Sequence, residues 1–439
     1  SRNLAAFKKT GLLNPGKSEM VTLSFAVSDM ASFDDLGKIA PSAWVLEKGR
    51  YKLYIGTSVR DAAELDFAYE QAETVTVRQC GNVLAPSRLA RRLQADGTWE
   101  DLPAAQIVDT DANALEPLDP NTLEAVAPET RARGRYWLAQ PYPEGLRPLS
   151  DVAEGKLSLD AFMTQLDDAD LIHLLGGQPN AGVSNTFGIG ALPECGVPNI
   201  TTADGPAGLR IQPEVGVCTT AWPCATLLAA TWDEDLVFRV GAAASAEVKE
   251  NNISVWLAPA VNLHRSPLCG RNFEYDSEDP LLAGKIAAAM VRGIQSRHIA
   301  ATVKHFACNN KETNRKNSDS RLSQRALREI YLRPFEIVIR EAGPWAVMSS
   351  YNIINGRRAS ESRELLTDIL REDWGSTGMV MTDWWTEGEH YKEILAGNDL
   401  KMANGYPERV QQAMDLGLVS REDLETCARR VLELILKID

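Results

Sequence analysis

The sequence predicts an α/β fold: a (β/α)8 TIM-like barrel at the C-terminal side of the chain, preceded by a short all-β segment. Two observations predict the barrel. From residue 156 to residue 439, short apolar runs alternate with segments of helical periodicity. The runs are apolar almost throughout, as expected of parallel strands that helices cover on both faces of a sheet. Repeated units of this kind over such a length fit a TIM-like barrel, including an irregular one.

The predicted strands and helices of the barrel are short and follow each other closely. The strands are Val197–Thr202, Val255–Val261, Ala300–His305, Ala346–Tyr351, Met379–Asp383 and Asp399–Met402. The helices between them include Glu234–Asn251, Pro280–Arg297, Ser323–Ala342 and Ser362–Trp374. A further helical pattern extends from Leu159 to Leu175 and ends at Gly176-Gly177.

An open doubly wound sheet is the alternative arrangement of such βα units. Its usual fingerprint is a GxGxxG turn that binds a dinucleotide. Here Gly188-Ile-Gly190 is followed by Pro193 where the third glycine belongs. The barrel is therefore the preferred interpretation.

Two segments precede the predicted barrel. In residues 1–75, apolar and polar residues alternate at positions 21–27 and again at 51–55, which predicts strands. Too few strands fit in this segment for a complete sandwich. Residues 76–155 have weaker periodicity, and eight of the 22 prolines lie between positions 81 and 150. We expect residues 76–155 to form an extended connector that wraps along a domain surface.

The composition argues against several partners and cofactors. The net charge is −14, and an acidic chain repels phosphate backbones and anionic lipid, so we expect neither nucleic acid nor a membrane as a partner. No apolar run reaches the roughly 18 residues that a membrane span needs. The five histidines occur in no HExxH or HxH spacing, which argues against a metal site, and we expect no cofactor.

The seven cysteines are an odd number at irregular spacings, with no CxxC motif. This pattern suits free thiols in a reducing compartment better than a disulfide framework, although a single bridge is compatible with it. No signal-peptide pattern opens the chain. These features favour a cytoplasmic location, but Ser1 leads directly into structured-looking sequence, as expected of a truncated chain.

Polar residues follow the apolar runs at the C-terminal end of each predicted strand. They are Asp204 and Arg210 after the first run, Arg271 and Glu274 after the second, Lys304 and His305 at the end of the third, Ser349–Asn352 after the fourth, and Asp383 and Trp384 at the end of the fifth. In a parallel barrel these strand ends meet on one face, where active sites are built. One polar strand end means little, whereas five in succession predict a site.

Each of these residues taken alone has an ordinary structural interpretation. Asp383 is a favourable N-cap for a helix that opens at Trp384. Asp204 begins a good turn sequence, and Arg271 with Glu274 could be a local ion pair of small energetic value. The convergence of the whole set on one barrel face is what these interpretations do not predict.

Together the residues suit a pocket for one sugar ring. Asp383 supplies a carboxylate, and the arginine and lysine side chains would keep it ionised and donate to hydroxyl groups. Trp384 offers an apolar face to a pyranose ring. Retaining glycosidases use a carboxylate nucleophile and a second carboxyl group about 5–5.5 Å away.

Five motifs, in order, are similar to those of a known family. They are TADGPAGLR (202–210), GRNFE (270–274), VKHFACNN (303–310), MSSYN (348–352) and MVMTDWW (379–385). From residue 201 onward the chain resembles the β-glucosidase branch of family-three glycoside hydrolases, in which a (β/α)8 barrel carries the nucleophile. Residues 1–75 resemble the later part of the fibronectin-III-like domain of these enzymes, in AFKKTGLLNPGKSEMVTLSF and WVLEKGRYKLYIGTS.

The resemblance implies a role for each residue of the site. Asp383 would be the nucleophile that forms a glycosyl-enzyme with a terminal β-D-glucosyl residue. The side chains that would hold the sugar are Asp204, Arg210, Arg271, Lys304 and His305. Tyr351 would lie near the nucleophile and the ring oxygen, Met348 would line the pocket and Trp384 would form one flank. Trp385 is assigned to packing.

The chain departs from the family pattern in two respects. The fibronectin-like segment precedes the barrel, as in a circularly permuted subgroup. The α/β sandwich domain, which generally supplies the acid/base glutamate, is absent. We therefore name no acid/base residue in this chain, and the resemblance casts Glu274, Glu312 and Glu387 as structural. We expect the sandwich domain to come from a missing N-terminal portion or from a companion chain.

Three alternatives stay open at this point. A related β-xylosidase or N-acetylglucosaminidase would share much of the frame. Lys304 at a strand end also suits the Schiff-base lysine of a barrel aldolase. The chain could instead be a sugar-binding fragment that keeps the pocket but lacks turnover, because its acid is missing.

Overall fold

The computed structural model of the protein describes residues 2–86, 89–94, 96–102, 142–180 and 182–438. Its strands are β1 (Ser32–Asp34), β2 (Ala43–Leu46), β3 (Gly49–Ile55), β4 (Ala63–Gln71), β5 (Val75–Gln79), β6 (Arg91–Leu93), β7 (Trp99–Asp101), β8 (Gly188–Leu192), β9 (Val197–Ala203), β10 (Val255–Trp256), β11 (Ala300–Phe306), β12 (Asp319–Ser320), β13 (Ala346–Ser349), β14 (Ile353–Ile354), β15 (Arg357–Arg358) and β16 (Met379–Thr382).

The α-helices of the described residues are α1 (Leu149–Ala153), α2 (Leu159–Met163), α3 (Asp168–Leu174), α4 (Ala225–Ala229), α5 (Glu234–Glu250), α6 (Pro280–Gln295), α7 (Gln324–Ala326), α8 (Arg333–Ala342), α9 (His390–Ala396), α10 (Pro407–Asp415) and α11 (Arg421–Lys437). Two segments, Leu327–Tyr331 and Glu364–Asp373, are π-helical. The long helices α5 and α6 coincide with predicted helices, and the long helix α11 follows the last predicted strand.

The central sheet of the barrel region has six strands in the order β16-β13-β11-β10-β9-β8. The pairs from β9 to β16 are parallel, whereas β8 runs antiparallel to β9. Only residues 193–196 connect β8 to β9, and a parallel crossover needs about a dozen residues or more. A hairpin is the connection that this short link allows.

Isolated bridges extend the pairing beyond both edges of this sheet. Gln178 bridges Gly188 of β8, and Leu400 bridges Met381 of β16. Gly176 and Lys401 form a third bridge between these two flanking segments. The region is therefore TIM-barrel-like. The predicted regular (β/α)8 barrel is not confirmed, because β8 is antiparallel to β9 and the two flanking segments pair only through isolated bridges.

Four of the predicted strands appear close to their expected bounds, as β9, β11, β13 and β16. The predicted strand Val255–Val261 shortens to β10, because Pro259 has no N–H to donate to a ladder. Ala260 resumes contact with β11 through a bridge to Lys304. The predicted strand Asp399–Met402 is present only as the bridges of Leu400 and Lys401.

Both faces of the sheet are buried, as the apolar runs predict. On β16, Val380 belongs to a core cluster with residues of α5, α6 and α8, whereas Met379 and Met381 belong to a second cluster with residues of α3 and α11. Neighbouring residues of a strand point to opposite faces. The sheet thus separates two apolar cores.

The helical pattern at 159–175 forms two helices, α2 and α3, rather than one. Asp167 ends the first pattern and begins the second, because its side chain accepts a hydrogen bond from the backbone of Asp170 in a capping box. Such a cap satisfies backbone donors that a continuous helix would not leave free.

The N-terminal residues form a three-stranded sheet, β1-β2-β5, and the hairpin β3-β4. The strand expected at 51–55 is confirmed as the second half of β3, but the strand expected at 21–27 is absent, and residues Val27–Met30 form a 3-10 turn. A strand needs a hydrogen-bonded partner, and no described strand pairs with residues 21–26. Met20 beside them is 92 % exposed.

Part of the predicted connector at 76–155 lies outside the described residues, namely 87–88, 95 and 103–141. The described part is not uniformly extended, since it contains the end of β5, the hairpin β6-β7 and α1. Residues 82–84 lie against the barrel region. The side chain of Gln324 donates to Asn82 and Val83, and Asn355 donates to the carbonyl of Leu84.

Candidate active site

The strand order brings the predicted site residues to one end of the sheet. Asp204 follows β9, Lys304 and His305 lie in β11, and Asp383 follows β16. The register aligns the ends of neighbouring strands, since Ser349 of β13 pairs with Thr382 of β16 and with Phe306 of β11. Five polar strand ends that are far apart in sequence therefore share one edge.

Asp204 forms ion pairs with two cations. Lys304 Nζ lies 2.6 Å from its Oδ1, and a guanidinium nitrogen of Arg210 lies 3.1 Å from its Oδ2. Burial on its own would raise the pKa of Asp204, but Lys304 and Arg210 outweigh it and lower the pKa to about 2. This carboxylate stays ionised and can accept hydrogen bonds from hydroxyl groups.

Asp383 is buried, and only one of its two carboxylate oxygens accepts a hydrogen bond from the described residues. Its Oδ1 accepts a 2.8 Å hydrogen bond from the backbone N–H of Trp384. Its Oδ2 forms no hydrogen bond with the described residues and lies 3.7 Å from Nε2 of His305. Burial raises the pKa of Asp383, opposed by Arg271, by the Trp384 amide and by Lys304. One carboxylate oxygen is thus available in a cationic surrounding.

The helix-cap interpretation of Asp383 is wrong. The next helix, α9, begins only at His390, and Glu389 occupies its N-cap position. No described helix starts at Trp384, so the hydrogen bond that the Trp384 N–H donates to Asp383 is a local turn contact.

His305 is fixed by its backbone and buried. Asn262 accepts from its N–H and donates to its carbonyl, both at 2.9 Å. Burial, then Arg271 and Lys304, holds the pKa of His305 well below its ordinary value. The imidazole is therefore neutral, with Nδ1 3.5 Å from the hydroxyl of Tyr275 and Nε2 directed at Asp383.

Arg271 lies between a buried glutamate and the nucleophile candidate. Its Nε donates to Glu274. Burial would lower the pKa of Arg271, but Tyr275, Glu274 and Asp383 raise it above its ordinary value. Arg271 is thus a fixed cation within electrostatic reach of Asp383.

Tyr351 connects the end of β13 to the loop after β16. Its hydroxyl donates a 2.6 Å hydrogen bond to the carbonyl of Trp384. Burial and the negative charge of Asp383 raise the pKa of Tyr351 well above its ordinary value. The guanidinium of Arg315 lies 4.6 Å from the centre of its ring. Tyr351 therefore holds the loop next to Asp383 as a neutral phenol.

Met348 and the two tryptophans differ in exposure. Met348 is 2 % exposed and belongs to the second core cluster, and the half-buried Trp384 packs against the same cluster. Trp385 is 55 % exposed and contacts Phe187 edge to face at 5.8 Å. The assignment of Trp385 to packing holds only for this ring contact, because more than half of the residue is exposed.

Several residues that sequence reasoning did not name contribute to the site. Asn309 donates to the hydroxyl of Tyr275, which faces His305. Arg315 pairs with Glu312 at 2.9 Å and contributes positive charge near Asp383. Asn309 lies in the VKHFACNN motif, so that motif could have identified it. Arg315 follows the motif in a loop, and no sequence pattern marks it.

A cavity of about 370 Å³ adjoins Asp204. Its lining comes from the loop after β9, residues 205–211, together with Val217, Thr219, Phe273 and Glu274. Arg210 faces this cavity and Asp204 at once. Asp383 is not among the residues that line it, so the cavity lies on the Asp204 side of the candidate site.

The described residues contain no group of three or more histidine, cysteine, aspartate or glutamate side chains that could hold a metal ion. None of the described helices is long and apolar enough to cross a membrane. The side chains gathered at the strand ends are carboxylates, fixed cations and hydrogen-bonding groups.

Comparison with known proteins agrees with this arrangement. Residues 192–434, more than half of the chain, match the glycosyl hydrolase family 3 N-terminal domain. The chain belongs to glycosyl hydrolase family 3. Residues 1–59 match a fibronectin type III-like domain.

Curated relatives resemble the chain over nearly all of its length. Beta-glucosidase A of Butyrivibrio fibrisolvens is 56 % identical over 429 residues, which is 96 % of this chain and 52 % of that protein. A beta-glucosidase of Ruminococcus albus is 37 % identical, over 99 % of this chain and 47 % of that protein. The chain spans about half the length of these relatives.

Solved structures of beta-glucosidases have the same fold. That of the Paenibacillus barengoltzii enzyme has a TM-score of 0.85 and 36 % identity, over 99 % of this chain and 50 % of that chain. Beta-glucosidase 3B of Thermotoga neapolitana, in complex with glucose, has a TM-score of 0.60 and 41 % identity, over 63 % of this chain and 42 % of that chain.

Proposed function

We propose that this chain is the nucleophile-bearing part of an exo-acting, retaining β-glucosidase. The observation that carries the proposal is the state of Asp383: a buried carboxylate with one oxygen free of hydrogen bonds to the described residues, at the shared end of the strands, among Arg271, Lys304 and His305. The names and glucose complexes of the related proteins support glucose as the sugar.

In the proposed reaction, Asp383 Oδ2 attacks the anomeric carbon of a terminal β-glucosyl residue. The new bond between Oδ2 and the anomeric carbon forms as the glycosidic bond to the leaving group breaks. The glycosidic oxygen of the leaving group takes a proton from a general acid. A water molecule then attacks the anomeric carbon, gives a proton to the same group acting as base and releases Asp383. Two inversions leave the β configuration retained.

The cations around Asp383 make this attack possible. Burial disfavours the charged carboxylate, whereas Arg271 and Lys304 favour it, so the nucleophile is ionised yet poorly solvated. The negative charge that they keep on Asp383 is therefore already in place when positive charge develops on the sugar ring.

The sugar would be held by charges that are already in place. Asp204 would accept hydrogen bonds from hydroxyl groups, and Lys304, Arg271 and Arg210 would donate to them. Neutral His305 offers Nε2 near both Asp383 and the ring. We propose Met348 and Trp384 as apolar flanks of the same pocket.

We propose that the general acid comes from outside the chain. Glu274 is held by Arg271, Glu312 by Arg315, and Glu387 lies 3.8 Å from Arg358. A carboxylate held by an arginine is a poor proton donor. The related proteins are about twice as long as this chain. We propose that a counterpart of their remaining half, either an N-terminal sandwich domain or a companion chain, supplies the glutamate.

The domain order supports a circularly permuted subgroup. The Butyrivibrio and Ruminococcus relatives align with 96 % and 99 % of the chain, whereas the Thermotoga structure aligns with 63 %. This is the pattern expected if the first group shares the order of fibronectin-like segment and barrel. We propose the boundaries 1–75, 76–155 and 156–439 for the three parts of the chain.

Lys304 argues against the aldolase alternative. Its ammonium group donates a 2.6 Å hydrogen bond to Asp204, whereas a Schiff-base lysine needs a neutral amine with a free lone pair. β-Xylosidase or N-acetylglucosaminidase specificity, and sugar binding without turnover, are outcomes of the test below.

The test is covalent trapping with a 2-deoxy-2-fluoro glucoside that carries a dinitrophenyl leaving group, because this group departs without a proton. We expect one glucosyl adduct per chain, mapped by peptide mass spectrometry to Asp383, and none in Asp383→Asn. The xylosyl and N-acetylglucosaminyl analogues should react more slowly. An adduct on another residue, or binding of glucose without any adduct, would overturn the proposal.

A further inference from the structure

A buried ion pair lies beneath the loop that follows Asp383. Lys401 Nζ is 2.6 Å from Glu393 Oε2, and both side chains are fully buried. Burying two charges is costly unless they are paired and their remaining hydrogen-bonding groups are satisfied. The pair therefore needs a fixed set of polar neighbours, and these identify what it holds.

The polar neighbours of the pair are Thr386 and Gly388 of the loop 384–389, together with Ser360. The Lys401 ammonium donates to Thr386 Oγ1 at 3.1 Å and to the carbonyl of Gly388 at 2.8 Å. Glu393 Oε1 accepts from the hydroxyl of Thr386 at 3.0 Å and from that of Ser360 at 2.7 Å. Both members of the pair thus form a hydrogen bond with the hydroxyl group of Thr386.

Gly388 shows how closely the loop lies against this pair. A Cβ at position 388 would meet Glu393 Oε1 at 2.2 Å and Ser360 Oγ at 3.0 Å. The backbone of the loop therefore rests directly on the carboxylate, and a side chain at this position would push the loop away.

The segment around Lys401 also holds the chain on both sides of Asp383. Before it, the N–H of Thr382 donates to the carbonyl of Leu400, and its hydroxyl accepts from the N–H of Met402. After it, the N–H of Trp385 donates to the carbonyl of Met402. Lys401 lies at the centre of the segment that brackets the nucleophile.

We propose that Lys401 and Glu393 are positioning residues that set the geometry of Asp383 for attack on the anomeric carbon. Neither side chain touches the substrate in this proposal. They act through Thr386, Gly388 and the 400–402 segment, which fix the peptide units on each side of Asp383. The inference rests on the proposed function, since it concerns the same nucleophile.

The experiment compares trapping rates of the whole chain with the dinitrophenyl 2-deoxy-2-fluoro glucoside. Lys401→Met and Glu393→Gln each leave one partner of the pair unmatched, so the double variant Lys401→Met/Glu393→Gln carries the test. Replacing both members of a buried pair often leaves stability unchanged. We expect the double variant to keep its Tm and Ki, while its inactivation rate constant falls about 10- to 100-fold through displacement of Asp383.

Thr386→Val keeps the ion pair but removes the hydroxyl group that joins the pair to the loop. This variant carries the test if the double variant does not fold. The same selective fall in the inactivation rate constant is expected. Lys285→Met is the matched control, because Lys285 pairs with Glu341 at 2.8 Å on the surface, and we expect it to match the unmodified chain.

Equal inactivation rate constants in the unmodified chain and in the folded variants would show that the pair is structural only. This failure differs from that of the proposed function. If the unmodified chain is not labelled at Asp383, the function is wrong; if it is labelled and the variants react equally fast, only the positioning role is wrong.

Discussion

The ammonium group of Lys304 lies 2.6 Å from Oδ1 of Asp204, although β10 separates the strands that carry them. Lys304 is almost fully buried, while the Asp204 side chain is 24 % exposed. The pair crosses the sheet at the end where the polar residues gather, and it fixes the orientation of the Asp204 carboxylate.

Replacing Lys304 by Met should weaken both the fold and the sugar site. Asp204 loses the nearer of its two ion-pair partners and keeps Arg210, so we expect a loss of up to about 3 kcal/mol in the free energy of unfolding. The dissociation constant of glucose should rise as well. Urea unfolding and calorimetric titration measure the two effects. Lys285→Met serves as control, and a Lys304→Met variant with unchanged glucose affinity would contradict the role.

The low pKa of Asp204 gives the chain a defined acid sensitivity. Its pKa is about 2 in the folded state against an ordinary value of 3.8. A depressed carboxyl pKa stabilises the fold above the ordinary value, and this stabilisation is lost as the pH falls through about 2. It amounts to about 2 kcal/mol. Stability measured between pH 5 and pH 2 should fall less steeply in Asp204→Asn; parallel curves would refute this.

Asp383→Asn should lose turnover and gain stability. Burial raises the pKa of Asp383, so the folded state pays to keep this carboxylate ionised at neutral pH. The destabilisation is absent below the ordinary pKa and complete above the raised one, and the neutral amide avoids it. We expect a higher Tm for Asp383→Asn at pH 7 and a smaller difference at pH 4. A lower Tm at pH 7 would contradict the electrostatic account.

The same raised pKa predicts an acid limb in the trapping reaction. Only the ionised carboxylate is a nucleophile, so the inactivation rate constant should fall as the pH drops through the pKa of Asp383, which lies above 3.8. His305→Asn tests whether the neutral imidazole contributes. Because Arg271 and Lys304 oppose burial in setting this pKa, we expect the limb to shift little in that variant.

Tyr351→Phe should disturb the loop next to Asp383 without unfolding the chain. It removes the 2.6 Å hydrogen bond to the Trp384 carbonyl, which would cost about 1–3 kcal/mol if the carbonyl stays buried and unpaired. The inactivation rate constant should fall with it. Tyr51→Phe removes a 2.9 Å hydrogen bond from an exposed tyrosine to the carbonyl of Glu47 and is the matched control. Equal effects of the two changes would rule out a specific role.

Trp385→Ala should change substrate choice more than stability. Its ring is 55 % exposed and contacts Phe187, whose carbonyl accepts from Thr202, two residues before Asp204. It thus lies between the Asp383 and Asp204 ends of the sheet. We expect the Ki of aryl glucosides to rise, most for large aglycones, with an unchanged Tm. Trp99→Ala, at 57 % exposure in β7, is the control.

The apolar runs of the sequence predicted most of the central sheet, because parallel strands covered on both faces are apolar throughout. Short strands such as β10 were predicted too long, since periodicity does not show where Pro259 interrupts a ladder. Strand β8 was missed, because its Gly188-Ile-Gly190 sequence has no strand-forming side chains apart from Ile189. Its direction follows from the short link to β9.

Residue type and position along the strands were enough to nominate Asp204, Lys304, His305 and Asp383, since parallel strands place their C-terminal ends together. The sequence by itself thus determined which side chains meet and which chemistry they offer. Only the tertiary structure decided which oxygen of Asp383 accepts no hydrogen bond from the described residues, which carboxylate is held at a pKa of about 2 and that Trp385 is more than half exposed. These properties depend on distances and burial between segments far apart in sequence, and no local pattern encodes them.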